Sequence, residues 1–544
     1  MKRKKNQKSP HHPVSAHRRT VIRGTIITGC YSLMSRVLGM LRDSMTAAML
    51  GMSAGGVMDA FVFAFRLPDV ARRMFGEGSF SISFIPVFAK LRNTAPTRAW
   101  QLVSVVLFWV FLLLTAFVLL GEIVSGIALL YFDQTSKVYL AAHLISLLLP
   151  YLILISMTAI AAATLQTIGH FSIAAAVPII LNVVWLFGIV VLAPLLTDDP
   201  AGRCYLLAAC VLVAGVLQFA IQIPALYYCG WRFNLNFSEV TKEVKTVGKN
   251  AIPTMLGLMT TQLNLLVSSM VAWLLAGPEG TAIQWLGGIE HPLHTGAVSA
   301  IYFSERLFEF PQGLIGMALA TAIYPLLNTH AVRKNFKAFA DDFSLAIRLQ
   351  FVLGIPAGAG LMLISYRITH LLYQRGVFTH ADTTRTADMV FWFGTGVWAF
   401  CMIPVLVRAF YAIGDIRTPL RVSMSCCLLH FFLCLTLIIP FREVGIAMAT
   451  SISAILQAAT LMAVSAYSYK LLRLEPLTIC AARAIAATTV MILSSGLMMK
   501  IIPGNDSMAD LIHIVSAASV GVIVYGMTYK VLGGNEMSTI MKKK

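Results

Sequence analysis

The sequence predicts an all-α integral membrane protein of about fourteen transmembrane helices. Two six-helix lobes, repeated in parallel, are expected around a central cavity, with two extra helices at the C-terminus. Three observations carry this expectation. The 544 residues are 58% hydrophobic and 12% charged, roughly half the charged share of a soluble domain. The apolar residues fall in runs long enough for the ~20 residues that a helix needs to cross a bilayer. Features of the first half also return in the second at a nearly constant displacement.

The candidate spans are 22–50, 56–91, 100–131, 138–168, 171–196, 203–229, 247–276, 298–328, 340–365, 383–413, 417–440, 443–469, 477–502 and 508–531. The second and eighth are weak by hydropathy because they carry charges. Arg232, Lys242, Lys245 and Lys249 lie in the connection 229–249, and Arg333, Lys334 and Lys337 in 329–339, whereas 277–297 holds no Lys or Arg. Basic loops stay on the cytoplasmic side, so both termini are expected there. The net charge of +18 is explained by this topology and calls for no nucleic acid.

Arg66-Leu67 followed by Pro86 recurs as Arg306-Leu307 followed by Pro325, and LQTIGHFS around Gly169 resembles FYAIGDIRT around Gly414. The displacements are 240, 239 and 245 residues. Halves of six spans each share one orientation, related by an axis along the membrane normal, with a site expected between them. The resulting division is a basic tail (1–21), a first lobe (22–229), a linker (230–246), a second lobe (247–469) and a C-terminal part (470–544).

Charges sit where lipid forbids them. In DAFVFAFRLPDVARRMFGE, Asp59, Arg66 and Arg73 are spaced by seven and Glu77 lies eighteen after Asp59. At about 100° per residue the four fall near one helix face, in a stripe roughly 27 Å long. A charge at mid-membrane costs about 2.5–3.5 kcal/mol even on the lenient insertion scale, so the stripe needs water, a partner helix or a charged substrate. Arg36 and Asp43 share a face of the first span and Arg42 borders it; alone, they read as a self-neutralising pair. The eighth span adds Glu305, Arg306 and Glu309, and the tenth adds Arg408, which can also snorkel to the interface. Together these residues are expected to line one wet cavity. With Arg72 the arginines only slightly outnumber the acids, so charge count alone does not define the substrate. Every cation is nevertheless an arginine, whose planar fork suits phosphate or carboxylate. Pro68, Gly76, Gly78, Pro311 and Gly313 are candidate hinges beside that cavity.

Enzyme signatures are missing from the chain: it has no Walker loop, nucleophile elbow or HExxH motif. No catalytic residue is therefore assigned. The nine cysteines show no CxxC or zinc spacing, and the HxxH of His291 and His294 reads as incidental, so no metal is expected.

SRVLGMLRD, DAFVFAFRLPDVARRMFGEGSFSISFIPVF, SERLFEFPQGLIGMALATAIYP, LLYQRGVFTHADT and AFYAIGDIRTPLRV resemble, in order, the signatures of the MurJ/MviN lipid II flippases. The resemblance runs from about residue 25 to 470. It implies the multidrug/oligosaccharidyl-lipid/polysaccharide exporter fold in the bacterial inner membrane. It also implies transfer of undecaprenyl-pyrophosphate-linked disaccharide-pentapeptide between leaflets by alternating access, for peptidoglycan synthesis. Lipid II, membrane lipids and the cell-wall synthesis machinery are the implied partners. Carried over by position, Arg36, Arg42 and Asp43 match the family's first-span motif, Asp59, Arg72, Arg73 and Glu77 its second-span motif, and Arg306 its eighth-span arginine. On this reading the arginines capture the pyrophosphate, Asp43, Asp59 and Glu77 hold them in place or pair with them once the substrate leaves, and the last two spans form a groove for the lipid tail. Arg66 stands where many relatives have lysine, and the 277–297 loop is longer than usual. No cofactor is implied. Some members bind sodium, but Asn264 stands where an acid would be sought, so the driving ion or membrane potential is undetermined. An exporter of another polyprenyl-linked glycan, or of drugs, is the alternative on the same fold.

Overall fold

The computed structural model describes residues 13–536 except 54, 77–78, 135, 284–286, 473, 503 and 505; side chains are described outside 13–28, 74–82 and 252–261. Helices dominate. The first half contains α1 (Pro13–Leu50), α2 (Val57–Gly76), α3 (Ser79–Thr94), α4 (Pro96–Tyr131), α5 (Lys137–Thr167) and α6 (Phe171–Phe187). A π-helical turn (Gly188–Leu192) carries α6 into α7 (Ala193–Leu196), and α8 (Pro200–Ala220) and α9 (Gln222–Tyr228) follow. The second half begins with α10 (Phe237–Leu275). Next come α11 (Ala297–Pro311), a π-helical segment (Gln312–Met317) and α12 (Ala318–Val332), then α13 (Phe336–Tyr373), α14 (His380–Ala412) and α15 (Arg417–Tyr467). The C-terminal pair is α16 (Leu474–Ile501) and α17 (Ser507–Val531).

The internal repeat reappears as packing. In the first half α1 lies on α6, α2 and α4 on α5, and α5 on α8; in the second, α10 lies on α15, α11 and α13 on α14, and α14 on α15. The repeated glycines have one geometry. Gly169 and Gly414 take φ of 89° and 83° just beyond α5 and α14. Each donates its N–H at 3.1 Å to the carbonyl three residues back, and the next residue donates to the carbonyl five back. This is a helix stop that needs a left-handed residue. Gly414→Ala is expected to lower stability by about 1–2 kcal/mol, read as a lower melting temperature of the detergent-solubilised protein.

Among the described residues, ten helices are long and apolar enough to cross a membrane, by length and composition. That is fewer than the fourteen spans expected. Part of the difference is α15, counted once although Arg442 takes φ 51°, ψ −137° within it. The turn lies between the expected spans 417–440 and 443–469, two residues after Pro440. α1, α2, α3 and α10 are not among the ten, in keeping with the charges that α1 and α2 carry, and α10 is counted only as the shorter apolar stretch Gln262–Leu275.

Two boundaries differ from expectation. α1 starts at Pro13, inside the supposed tail, with proline at a favoured first-turn position. α10 starts at Phe237, so the second part of the 230–246 linker is helix continuous with the next span. The 277–297 loop forms two small sheets, β1 (Ala276–Gly277) parallel to β4 (Leu293–His294) and β2 (Ala282–Ile283) antiparallel to β3 (Ile289–Glu290).

A continuous apolar core, including Phe61, Trp185, Phe303 and Phe393, spans both halves. A separate cluster at Val352, Cys480, Ala484 and Tyr525 fastens α16 and α17 to α13.

Candidate functional site: an ionic ladder between the halves

The charged stripe of α2 faces α11. These are equivalent helices of the repeat, so equivalent positions meet. Asp59 lies opposite Ser299, 240 residues on: its Oδ1 accepts from the Ser299 N–H at 2.8 Å and from Oγ at 2.6 Å, while Oδ2 accepts from the Gly296 N–H at 2.7 Å. The first N–H groups of a helix lack intrahelical partners and carry partial positive charge, so Asp59 caps α11 from another part of the chain. This corrects the expectation that Asp59 holds an arginine. A helix terminus stabilises its charge instead.

About two turns further along, Arg66 Nη2 meets Glu305 Oε2 at 2.5 Å and Nε donates to Ser269 Oγ at 2.8 Å. Both members of the pair are almost fully buried, at 5% and 4% side-chain exposure. Beyond Pro68, Asp69 accepts from Arg72 Nη2 at 2.9 Å through Oδ1 and from Arg73 Nε at 3.0 Å through Oδ2. Arg73 Nη2 reaches Glu309 Oε1 at 2.8 Å, and Glu309 Oε2 accepts from Arg306 Nη1 at 3.0 Å.

From Arg306 the ladder crosses to α1. Arg306 Nε lies 3.6 Å from Asp43 Oδ2, and its guanidinium stacks on Tyr302, 4.7 Å from the ring centroid. Asp43 Oδ1 accepts from Arg42 Nη2 at 2.7 Å, Arg42 Nε at 2.9 Å and the Tyr302 hydroxyl at 3.0 Å. Arg42 in turn donates to Asn182 Oδ1 at 3.1 Å and lies over the Trp185 ring at 4.7 Å. Burial of so many charges is tolerable because every carboxylate of the ladder has a cation or several donors.

Arg36 is placed differently. It is seven residues from Asp43, yet Asp43 pairs with its neighbour Arg42 and with Arg306, so the expected Arg36–Asp43 pair does not form. Arg36 is exposed and has no ion pair among the described residues. Its guanidinium lies against Gly313, where an added Cβ would come within 2.6 Å of Nη1 and Nη2. Gly313 belongs to the π-helical segment after Pro311, so the predicted break in the eighth span is the berth of this arginine. Arg408 stands apart, donating to Thr321 Oγ1 at 2.7 Å. Glu77, Gly78 and the Gly76 side-chain environment lie outside the described residues.

Sequence reasoning did not single out Asp69, Asn182, Tyr302, Trp185, Ser269 or Ser299. Asp69 was within reach, three and four residues before two arginines, a spacing that pairs side chains on a helix. Asn182 and Tyr302 carry no local signal, since each meets α1 only through tertiary packing. His291 and His294 do not face each other as ligands: His291 Nδ1 lies 3.2 Å from the Leu275 carbonyl, and His294 Nε2 lies 2.6 Å from Arg442 Nη1.

Near the N-terminal end of α2 further contacts tie the halves. Val377 N–H donates to the Ala48 carbonyl at 3.0 Å, Ser53 Oγ to Asp382 Oδ1 at 2.6 Å, and Arg385 Nη1 to Ser53 Oγ at 3.2 Å.

A family model described as "Lipid II flippase MurJ" matches residues 46–514. The chain belongs to the MurJ family. The matched span holds the α2 and α11 charges, while Arg36, Arg42 and Asp43 lie just ahead of it. A Vibrio cholerae serotype O1 protein described as a probable lipid II flippase MurJ is 31% identical over 454 residues, 81% of this chain and 82% of the relative. A Burkholderia cenocepacia protein described as lipid II flippase MurJ is 29% identical over 74% of this chain and 76% of its own. Among solved structures, a MurJ in an inward closed conformation superposes with a TM-score of 0.71 at 21% identity, covering 93% of this chain and 99% of its own. An inward-facing MATE family multidrug transporter of the MOP superfamily reaches 0.61 at 13% identity over 79% and 95%. At those identities the structures speak for the fold alone: this MurJ family member is an all-α, multi-pass inner membrane protein built like the MOP transporters.

Proposed function

We propose that this chain is a lipid II flippase, moving the undecaprenyl-pyrophosphate-linked peptidoglycan precursor from the cytoplasmic to the periplasmic leaflet by alternating access. Family membership supplies the substrate class. The observation that carries the mechanism is the ionic ladder joining the two halves, with Arg36 at its edge, exposed and without an ion pair among the described residues. A diphosphate needs cations that are present but not all neutralised, and bidentate guanidinium contacts suit its oxygens.

The basic connections support a reading with both termini in the cytoplasm and fourteen crossings over the divisions 22–229, 247–469 and 470–544. The contacts of Ala48, Ser53 and Asp59 with the second half then close the periplasmic side. The headgroup enters from the cytoplasm, the arginines take the diphosphate, and α16 and α17 guide the polyprenyl tail in lipid. Movement of the halves exposes the headgroup to the periplasm, with flexure at the Pro311 and Gly313 break. The chain does no bond chemistry, and membrane potential or an ion supplies the drive; outward movement of negative charge is favoured by a negative interior. Cell-wall synthesis enzymes on the periplasmic side are the natural recipients.

The test is leaflet accessibility of lipid II in cells that depend on this protein alone. Arg36→Ala removes an exposed side chain without an ion pair, so protein level should hold. Periplasmic exposure is expected to fall at least tenfold. Unchanged exposure after loss of the whole protein would remove the flippase reading and favour an exporter of another glycan.

A further inference from the structure

Two glutamates of α11 face arginines of α2, and they differ in one respect that matters. Glu305 is sealed against Arg66, with both side chains almost inaccessible. Glu309, one turn on, retains 21% side-chain exposure while its two oxygens sit on two guanidinia from different halves, Arg73 at 2.8 Å and Arg306 at 3.0 Å. Glu309 is therefore one partly exposed carboxylate shared by two guanidinia, each of which also has a second acid, Asp69 for Arg73 and Asp43 for Arg306. The Arg36 guanidinium lies against Gly313, four residues further along the same segment.

We propose that Glu309 occupies the seat of the substrate's diphosphate and is displaced when the substrate loads. The inference rests on the lipid II reading above and adds a role for a residue of this chain. A diphosphate diester carries about two negative charges and offers more acceptor oxygens than a carboxylate, so it can span Arg73 and Arg306 and also draw on the exposed Arg36 along the same segment, which favours exchange. The exchange also has a mechanical consequence. Glu309 is the α11 group that holds Arg73 of α2, so its departure breaks a tie between the halves at the moment of loading. A ligand shifts a conformational equilibrium only through different contacts in the two states, and this substitution of one anion for another supplies such a difference. After release, Glu309 returns to Arg73 and Arg306 and keeps the empty cavity neutral enough to close.

The experiment measures binding of lipid II, and separately of inorganic pyrophosphate, to the full-length protein in nanodiscs. Wild type, Glu309→Gln, Glu309→Asp and Arg306→Ala are compared, with a melting curve for each. Glu309→Gln removes the competing charge and keeps the shape, so affinity for both ligands is expected to rise about tenfold while turnover in reconstituted vesicles falls. Glu309→Asp keeps the charge but is one methylene too short to bridge both arginines. It should show a smaller gain in the same direction, and it decides the matter if Glu309→Gln does not fold. Equal or weaker binding by the folded variants, with wild-type binding still dependent on Arg306, overturns the displacement and leaves the flippase reading intact. Absence of lipid II binding to wild type, with Arg306→Ala no different, overturns the flippase reading itself.

Discussion

Arg306→Ala is expected to abolish lipid II flipping while leaving the protein in the membrane. Among the described residues, Arg306 is the one side chain that touches both Glu309 and Asp43, and so links the α2–α11 part of the ladder to α1. Its removal leaves each carboxylate with another partner, Arg73 for Glu309 and Arg42 for Asp43. No buried acid is orphaned, and folding should survive. The function should not, because an anionic substrate loses a guanidinium at the junction of the two halves. Truncating one partner of a buried charged contact costs about 2–5 kcal/mol, so the transport rate should drop roughly 30-fold or more. Arg306→Lys restores the charge but not the fork or the stacking on Tyr302, and should recover only part of the rate. Complementation of a flippase-depleted strain, with immunoblots for protein level, reads both variants. Wild-type growth with Arg306→Ala would remove this arginine from the transport path.

The second large effect concerns stability. Arg66→Met should destabilise the protein by about 3–5 kcal/mol, because Glu305 would be left charged and buried with its ion-pair partner removed. Ser269 would lose a donor at the same time. A double variant, Arg66→Met with Glu305→Met, should regain most of that loss, since replacing a whole buried pair by apolar residues is often neutral or better. Thermal unfolding of the solubilised single and double variants measures the coupling. If the double variant melts no higher than the worse single, the pair is not acting as a self-contained structural link. Arg66 and Arg306 occupy equivalent positions of the repeat, yet their surroundings differ: Arg66 is sealed in one buried pair with Glu305, while Arg306 is shared between Glu309 and Asp43 with 19% side-chain exposure.

Much of this was legible in the residues. Long apolar runs announced membrane helices, and the 240-residue displacement announced two similar halves whose equivalent helices meet at Asp59 and Ser299. The cost of burying Arg66, Arg73 and Arg306 in a lipid-facing sequence required them to turn inward, which they do. Periodicity went astray where it treated one helix face as one interaction set. Arg36 and Asp43 share a face of α1, but Asp43 sits where α1 meets Tyr302 and Arg306, while Arg36 lies farther along against a glycine. Asp59 looked like a counter-ion for arginine and is instead a cap for α11.

By itself, then, the sequence determined that this protein crosses the membrane many times, that it is built from a repeated unit, that its interior carries arginines unsuited to lipid and that it resembles the MurJ family. The first three properties follow from local composition and spacing, and the resemblance from the ordered motifs that carry it. Which arginine is sealed, which is shared and which stays exposed was decided only by the tertiary structure. A charge's environment depends on neighbours 140 to 260 residues away, such as Asn182 and Tyr302 around Arg42, and packing between helices, not order along the chain, brings them together.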